Sequence, residues 1–253
     1  MRENNQSSGF HRGLEIAAIV TLLGFSADLA WRVTTSAHGL TAWTVAGSAT
    51  VLGYLLADLI SGFVHWLADR FGTTETPLLG ANFVRPFREH HVDPLAITRH
   101  GFIETNGNNC VVSLPLLVLA SLMPISQGNA LRLFVVALVL STSVFIFATN
   151  QFHKWAHMEQ PPALARALQS AHLILSPDHH NRHHTAPFET YYCITTGWLN
   201  WPLEKLRAFE TLERMLRRRP METGECGVRG IQVAARVSES GNSSQRQSRD
   251  RSL

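Results

Sequence analysis

Residues 150–184 carry seven of the thirteen histidines in this 253-residue chain. The stretch reads Asn-Gln-Phe-His-Lys-Trp-Ala-His at 150–157 and Pro-Asp-His-His-Asn-Arg-His-His at 177–184. His153 and His157 are four apart, so on a helix they share one face and can reach one metal ion. His179, His180, His183 and His184 contain two further pairs of that spacing. At about 100° per residue these four sweep an arc of about 140°, wide enough to serve two ions. His65, His90, His91 and His100 lie upstream, and His172 stands between the two strings. Imidazole suits iron, zinc, copper or nickel. A mononuclear zinc site takes three or four ligands, and the candidates here exceed that number. The surplus argues for two ions held by some of His65, His90, His91, His100, His153, His157, His172, His179, His180, His183 and His184. His11 and His38, alone in their surroundings, read as packing or surface residues.

Three other residues are candidate catalytic groups. Asp58 lies seven residues before His65 on the same helical face, inside an apolar run, where an acid is a functional candidate by default. Asp69 lies one turn beyond His65. Either acid can orient a ligand imidazole. The plainer reading is a salt bridge to Arg70, Arg85 or Arg88. Asn106 belongs to the string Glu-Thr-Asn-Gly-Asn-Asn with Asn108 and Asn109; one of these amides can complete a metal shell or hold a water, although Asn-Gly by itself marks a turn.

The elements that position these residues are apolar. Residues 14–31, interrupted by Asp28, and 42–66 form two runs, the second long enough to span a bilayer's roughly 30 Å hydrocarbon layer. A shorter run, 111–126, closes around Pro124, and 131–149 forms a fourth; these two suit a tilted or bent hairpin. A cleaved signal peptide is disfavoured at the start, because the basic n-region is weak and no small-residue cleavage site follows. Fourteen of the 22 Lys and Arg residues lie after residue 150. Arg70, Arg85, Arg88 and Arg99 follow the second run, whereas the opposite loops carry only Arg32 and Arg132. The positive-inside rule therefore puts both His-rich segments on the cytoplasmic side, with the N-terminus. The expected fold is all-α: an integral membrane protein of about four transmembrane helices in two hairpins, with a cytosolic His-rich helical cap. Residues 1–13 read as flexible, 14–220 as the membrane domain and 221–253 as a disordered tail.

Residues 162–176 have helical character, and 203–219 read as one amphipathic helix. Tyr191, Tyr192, Trp198 and Trp201 suit either the headgroup level or cap packing. Cys110, Cys193 and Cys226 are few and widely spaced, so neither a disulfide framework nor a thiolate zinc site is implied. No basic and aromatic motif for nucleic acid appears. A transporter would hold its histidines at the membrane midplane, and a zinc hydrolase would show His-Glu-x-x-His; neither pattern is present. Clustered histidines at a membrane surface, with few carboxylates, are the arrangement of membrane desaturases and hydroxylases, whereas soluble di-iron bundles use Glu and Glu-x-x-His. Taking hydrogen from an unactivated alkyl chain needs a strong oxidant, which two irons can draw from dioxygen.

At these residues the sequence resembles one family in particular. Ser-Gly-Phe-Val-His-Trp (61–66), Phe-Val-Arg-Pro-Phe-Arg-Glu-His-His-Val-Asp-Pro (83–94), Ile-Thr-Arg-His-Gly-Phe-Ile-Glu-Thr-Asn-Gly (97–107), Asn-Gln-Phe-His-Lys-Trp-Ala-His (150–157), His-His-Asn-Arg-His-His-Thr-Ala-Pro (179–187) and Thr-Tyr-Tyr-Cys-Ile-Thr-Thr-Gly-Trp-Leu-Asn-Trp-Pro-Leu-Glu (190–204) are similar to the Kua/CarF-type membrane lipid desaturases, the plasmanylethanolamine desaturase family. The resemblance covers about residues 50–210. It implies a vinyl-ether double bond inserted into the sn-1 alkyl chain of an ether phospholipid, forming a plasmalogen. It also implies a di-iron centre, dioxygen and an external electron donor such as cytochrome b5 or ferredoxin. The family's histidine motifs carry over onto His65, His90, His91, His153, His157, His179, His180, His183 and His184, with His172 and His100 as additions. Asp178 stands before the His-His string where a relative could hold a basic residue. A plastid branch that acts near the carboxyl end of a phosphatidylglycerol acyl chain is the alternative. The implied location is a cell inner membrane in a bacterium, or the endoplasmic reticulum in a eukaryote.

Overall fold

A computed structural model of the chain describes residues 9–71, 73–76, 80, 84–126 and 128–217. The tail expected to be disordered, 221–253, lies outside the described residues, as does most of the N-terminal stretch 1–13. Among the described residues the fold is entirely helical. α1 (Gly9–Ser36) and α2 (Gly39–Arg70) are long and apolar, and so is α6 (Ala130–His157). All three are long enough to cross a membrane. α5 (Phe102–Ser121) is the fourth, and its apolar part, Asn109–Ser121, is shorter. The cap consists of short helices: α3 (Arg85–Val92), α4 (Ala96–Arg99), α7 (Ala163–Ser170), α8 (Pro177–His183), α9 (Asn200–Lys205) and α10 (Ala208–Leu216).

The four long helices pair in a way that the chain order does not suggest. α1 and α2 are joined by only Ala37 and His38, yet α1 packs mainly on α5, α2 on α6, and α5 on α6. Two contacts fix the sense of the α2–α6 pair. The Ser141 hydroxyl donates to the Thr50 carbonyl at 2.7 Å, and Tyr54 stacks on Phe145 with ring centroids 3.8 Å apart. Residue numbers rise together, so α2 and α6 run parallel, and both end on the cap side. α5 runs antiparallel to α6, since Asn109 Nδ2 reaches the Ile146 carbonyl and Asn150 Nδ2 the Thr105 carbonyl. Between the helices sit Leu22, Leu29, Ala49, Cys110, Leu117 and Val136, all buried. The outward faces carry exposed apolar side chains such as Trp31, Trp43, Val51, Val112 and Leu131. An apolar surface around an apolar core is what a lipid-embedded bundle requires. At the end away from the cap, Arg32 binds the carbonyls of Ser121 and Met123 and so closes the last turn of α5.

Three expectations change in detail. The Asn106-Gly107 pair lies within α5 and not in a turn. A Cβ at Gly107 would lie 2.7 Å from the Glu15 side chain. The glycine therefore lets α1 come close, and this packing overrides the turn preference. The amphipathic segment 203–219 is two helices, because Arg207 takes a left-handed conformation (φ 50°) between α9 and α10. The aromatic set divides: Tyr192 is buried in the cap, whereas Trp198 and Trp201 are exposed.

Candidate metal centre

α6 and α8 each contribute histidines spaced by one turn. α6 runs two turns past its apolar segment and ends in His153 and His157. α8 starts at Ser176, whose hydroxyl accepts from the His179 amide, with Pro177 at the first helical position and Asp178 in the first turn. That is a well-formed helix start, and it explains the acid at 178 as a favourable charge at a helix N-terminus. α3 places His90 and His91 in its last turn before Asp93-Pro94 ends it. α2 delivers His65 and Asp69 one turn apart at its cap-side end.

Eight histidines from these four helices converge. One group is His90, His153, His157, His180 and His184; the other is His65, His90, His91 and His183. Within each group the ligand atoms lie within 4.8 Å of one another, and His90 belongs to both. The arc of α8 serves both groups, with His180 and His184 in the first and His183 in the second. His65, His90, His153, His180 and His183 are buried. Burial lowers the pKa of His90 and His180 well below the ordinary histidine value and that of His184 to about 2, with neighbouring imidazoles adding to the effect. Those rings are neutral at pH 7 and carry a free lone pair.

The donor set fits metal ions. In the first group the Nε2 atoms of His153, His157 and His180 form a triangle with sides of 2.9, 2.9 and 3.1 Å, and His184 Nε2 is 3.0 Å from His180 Nε2. A neutral imidazole nitrogen either donates or accepts, never both. Three mutually touching nitrogens therefore leave at least one donor–donor or acceptor–acceptor pair. A cation removes the conflict. Metal–nitrogen bonds of about 2.1 Å put adjacent ligand atoms about 3.0–3.4 Å apart, the spacing seen here.

In the second group backbone carbonyls set the tautomers. His65 Nδ1 donates to the Tyr192 carbonyl at 3.1 Å, and His183 Nδ1 donates to the Thr190 carbonyl at 2.8 Å. A carbonyl only accepts, so in the neutral rings Nδ1 holds the proton and Nε2 is a bare lone pair. Asp69 Oδ2 lies 3.4 Å from His65 Nε2, 3.4 Å from His183 Nε2 and 3.1 Å from His91 Nε2.

Asp58 acts on this arrangement through the loop rather than on an imidazole. Its Oδ1 accepts from the amides of Thr195, Thr196 and Gly197, and its Oδ2 from that of Leu199. One buried carboxylate thus anchors the loop that carries the Thr190 and Tyr192 carbonyls. The loop lies against α2 at Gly62, where a Cβ would be 2.4 Å from Cys193 Sγ. Arg70 closes the other side, with a forked pair of bonds to Glu213 and a third to Glu189. Neither the salt bridge to Asp58 nor its direct contact with a ring, both considered from sequence, is formed.

Three histidines named from sequence stand apart from both groups. His179 Nε2 accepts from Asn200 Nδ2 at 3.1 Å, so its lone pair is engaged. His172 sits at φ 55° just past α7. Its amide donates to Gln169 and that of Leu173 to Leu168, the paired bonds of a helix C-terminus; its role is to end a helix. His100 is half exposed and pairs with Glu104 at 2.7 Å. Asn106 is buried and lies outside both groups; its Nδ2 donates to Phe102 and Gln151, and its Oδ1 has no partner. Sequence reasoning missed Thr190 and Tyr192, because they act through backbone carbonyls that leave no side-chain signature.

Two His groups that could hold metal ions, at the cap end of an apolar helix bundle, place the chain in the class of membrane proteins with a metal-binding site. Residues 54–224 match the family described as lipid desaturase domain, and the chain belongs to that family: it is a membrane oxidoreductase. It is 48% identical to plasmanylethanolamine desaturase from Myxococcus xanthus over 90% of this chain and 82% of that protein. It is also 48% identical to plasmanylethanolamine desaturase 1 from Mus musculus, over 66% of this chain and 63% of that one. The chloroplastic fatty acid desaturase 4 of Arabidopsis thaliana is 35% identical over 64% of this chain and 48% of its own length. No solved structure matches the chain.

Proposed function

We propose that the chain is a di-iron plasmanylethanolamine desaturase. It inserts the 1'-2' double bond of a vinyl ether into the sn-1 alkyl chain of an ether phospholipid. The observation that carries this reading is the pair of His groups sharing His90, which together present eight imidazoles, more than a mononuclear zinc site uses. The higher identity to the two plasmanylethanolamine desaturases than to the plant enzyme favours the ether lipid over an acyl chain. The two free cysteines among the described residues, Cys110 and Cys193, belong to neither group, which suits iron held by imidazole.

The reaction removes one hydrogen from each of the two carbons next to the ether oxygen. One dioxygen, two electrons and two protons enter, and the alkene and two waters leave. Bound iron supplies the oxidising power. His65, His90, His91 and His183 would hold one ion and His90, His153, His157, His180 and His184 the other. His100, His172 and His179 are left out of the ligand set. Asp58 holds the loop that fixes the His65 and His183 rings. Burial of these rings keeps water from the reacting chain. The alkyl chain reaches the site from the bilayer along the cap-side end of α2, where Leu59 and Phe63 expose apolar surface just below His65. The His-rich end faces the cytoplasm, consistent with the arginines that cluster there, and an electron-donor protein such as cytochrome b5 or ferredoxin meets it on that side.

Lipid analysis tests this. The full chain is expressed in a host that has alkyl-ether phospholipids but no plasmalogens. Acid-labile vinyl-ether lipids should appear by mass spectrometry and vanish with His180→Ala. If iron-loaded protein makes none, and new double bonds appear in phosphatidylglycerol, the acyl-lipid reading replaces this one.

A further inference from the structure

We infer that Asp69 is itself a metal ligand, so that the two ions have different ligand sets: imidazoles alone on one side, imidazoles with a carboxylate on the other. The inference rests on the metal-centre reading above.

The first support is spacing. α6 and α8 each present two metal-site imidazoles one turn apart, His153 with His157 and His180 with His184. α2 presents His65 and, at the same one-turn spacing, Asp69. Asp69 takes the position that the second histidine of each other pair takes.

The second support is the match of lone pairs. The Tyr192 and Thr190 carbonyls put the protons of His65 and His183 on Nδ1. Their Nε2 atoms then point bare lone pairs at Asp69 Oδ2, 3.4 Å away in each case. A carboxylate oxygen is also only an acceptor. Three acceptors aimed at one small volume repel one another unless a cation lies among them. Both Nε2 atoms are buried without a hydrogen-bond partner, as is Asp69 Oδ1. A carboxylate that merely oriented imidazoles would face ring N–H groups; His91 Nε2, at 3.1 Å, can offer one, but His65 and His183 have none to offer on that side. The distances of 3.1–3.4 Å from Asp69 Oδ2 to the three Nε2 atoms equal the spacing of adjacent ligands about one ion, about 3.0–3.4 Å.

The third support is charge. The side chains of His65 and His183 are 0% exposed and that of Asp69 is 6% exposed. Two divalent ions ligated only by neutral rings would leave four positive charges buried at the edge of a membrane. One carboxylate lowers that sum and favours oxidation of the ion it touches.

Infrared difference spectroscopy on the detergent-solubilised full chain, labelled with carboxyl-13C aspartate, tests the assignment. Metal-free protein is loaded anaerobically with ferrous iron, and metal content is read in parallel. Loading should shift an aspartate-sensitive carboxylate band, and Asp69→Asn should abolish that shift. Asp69→Glu, which keeps a carboxylate but loses the label, should abolish the shift too, and it serves if Asp69→Asn does not accumulate. A wild-type protein that binds two irons with no aspartate-sensitive change overturns the inference. So does a shift that persists in either variant. Wild-type protein that takes up no second iron would instead sink the di-iron reading itself, whatever the variants show.

Discussion

The two histidine groups share His90 but are built on different principles. The group on α2 has its rings oriented by backbone carbonyls. The Tyr192 and Thr190 carbonyls choose the tautomers of His65 and His183, Asp58 holds the loop that carries those carbonyls, and Asp69 faces the rings. The group on α6 and α8 has no such support at its Nε2 atoms. Its nitrogens touch one another in an arrangement that neutral rings cannot satisfy by hydrogen bonding. Both halves call for an ion, but only the first has rings oriented by backbone carbonyls. Stiffness in the first half comes from a loop far away in sequence; the second half is two helices meeting.

The largest effect should come from the residue the groups share. His90→Ala removes a ligand from both, so iron content should fall toward zero and vinyl-ether formation below detection. His153→Ala touches only the second-described half and should leave about one iron per chain; equal loss in both variants would erase the distinction between the halves.

Protons should strain the metal-free protein next. His90, His180 and His184 are held neutral by burial, whereas unfolded histidine titrates near pH 6.5. As pH falls below about 6.5 the unfolded chain takes up protons that the folded chain refuses. Stability is therefore present above that pH and is lost below it, at up to about 1.4 kcal/mol per pH unit per histidine. Thermal melting of metal-free protein at pH 7.5 and 5.5 should show the lower midpoint at pH 5.5; a flat profile would mean that these rings are not buried neutral.

Asp58→Asn addresses the α2 half alone. It replaces an acceptor by a donor beside backbone N–H groups, at a cost of roughly 2–4 kcal/mol. Iron affinity at the α2 group should weaken by about 10–100-fold, the range for a group that orients ligands, while the α6–α8 group keeps its ion. Metal titration against a chelator would resolve the two. Uniform loss from both halves would show that the loop supports the whole cap.

The smallest effect should be a gain. His172 holds a left-handed backbone at the end of α7. His172→Gly should raise stability by about 0.5–1 kcal/mol, with iron content unchanged. Loss of iron in that variant would return His172 to the ligand set.

Much of this protein was legible in its sequence, because both signals involved are local. Hydropathy over some twenty residues marks an apolar helix wherever the helix packs, so the all-helical membrane class and the apolar runs followed from composition. One-turn spacing puts His153 beside His157 and His180 beside His184 on any helix, so those pairs could be named in advance. The tertiary structure decided what neighbours in space decide. It paired α1 with α5 and α2 with α6, although α1 and α2 are adjacent in the chain. It turned Asn106-Gly107 into helix because Glu15 packs there. It divided the α8 histidines, sending His180 and His184 to one group, His183 to the other and His179 to Asn200. It gave Asp58 four backbone amides to hold. Whether an imidazole is a free lone pair or a satisfied acceptor depends on what faces each of its two nitrogens, and those partners lie from 7 to 127 residues away.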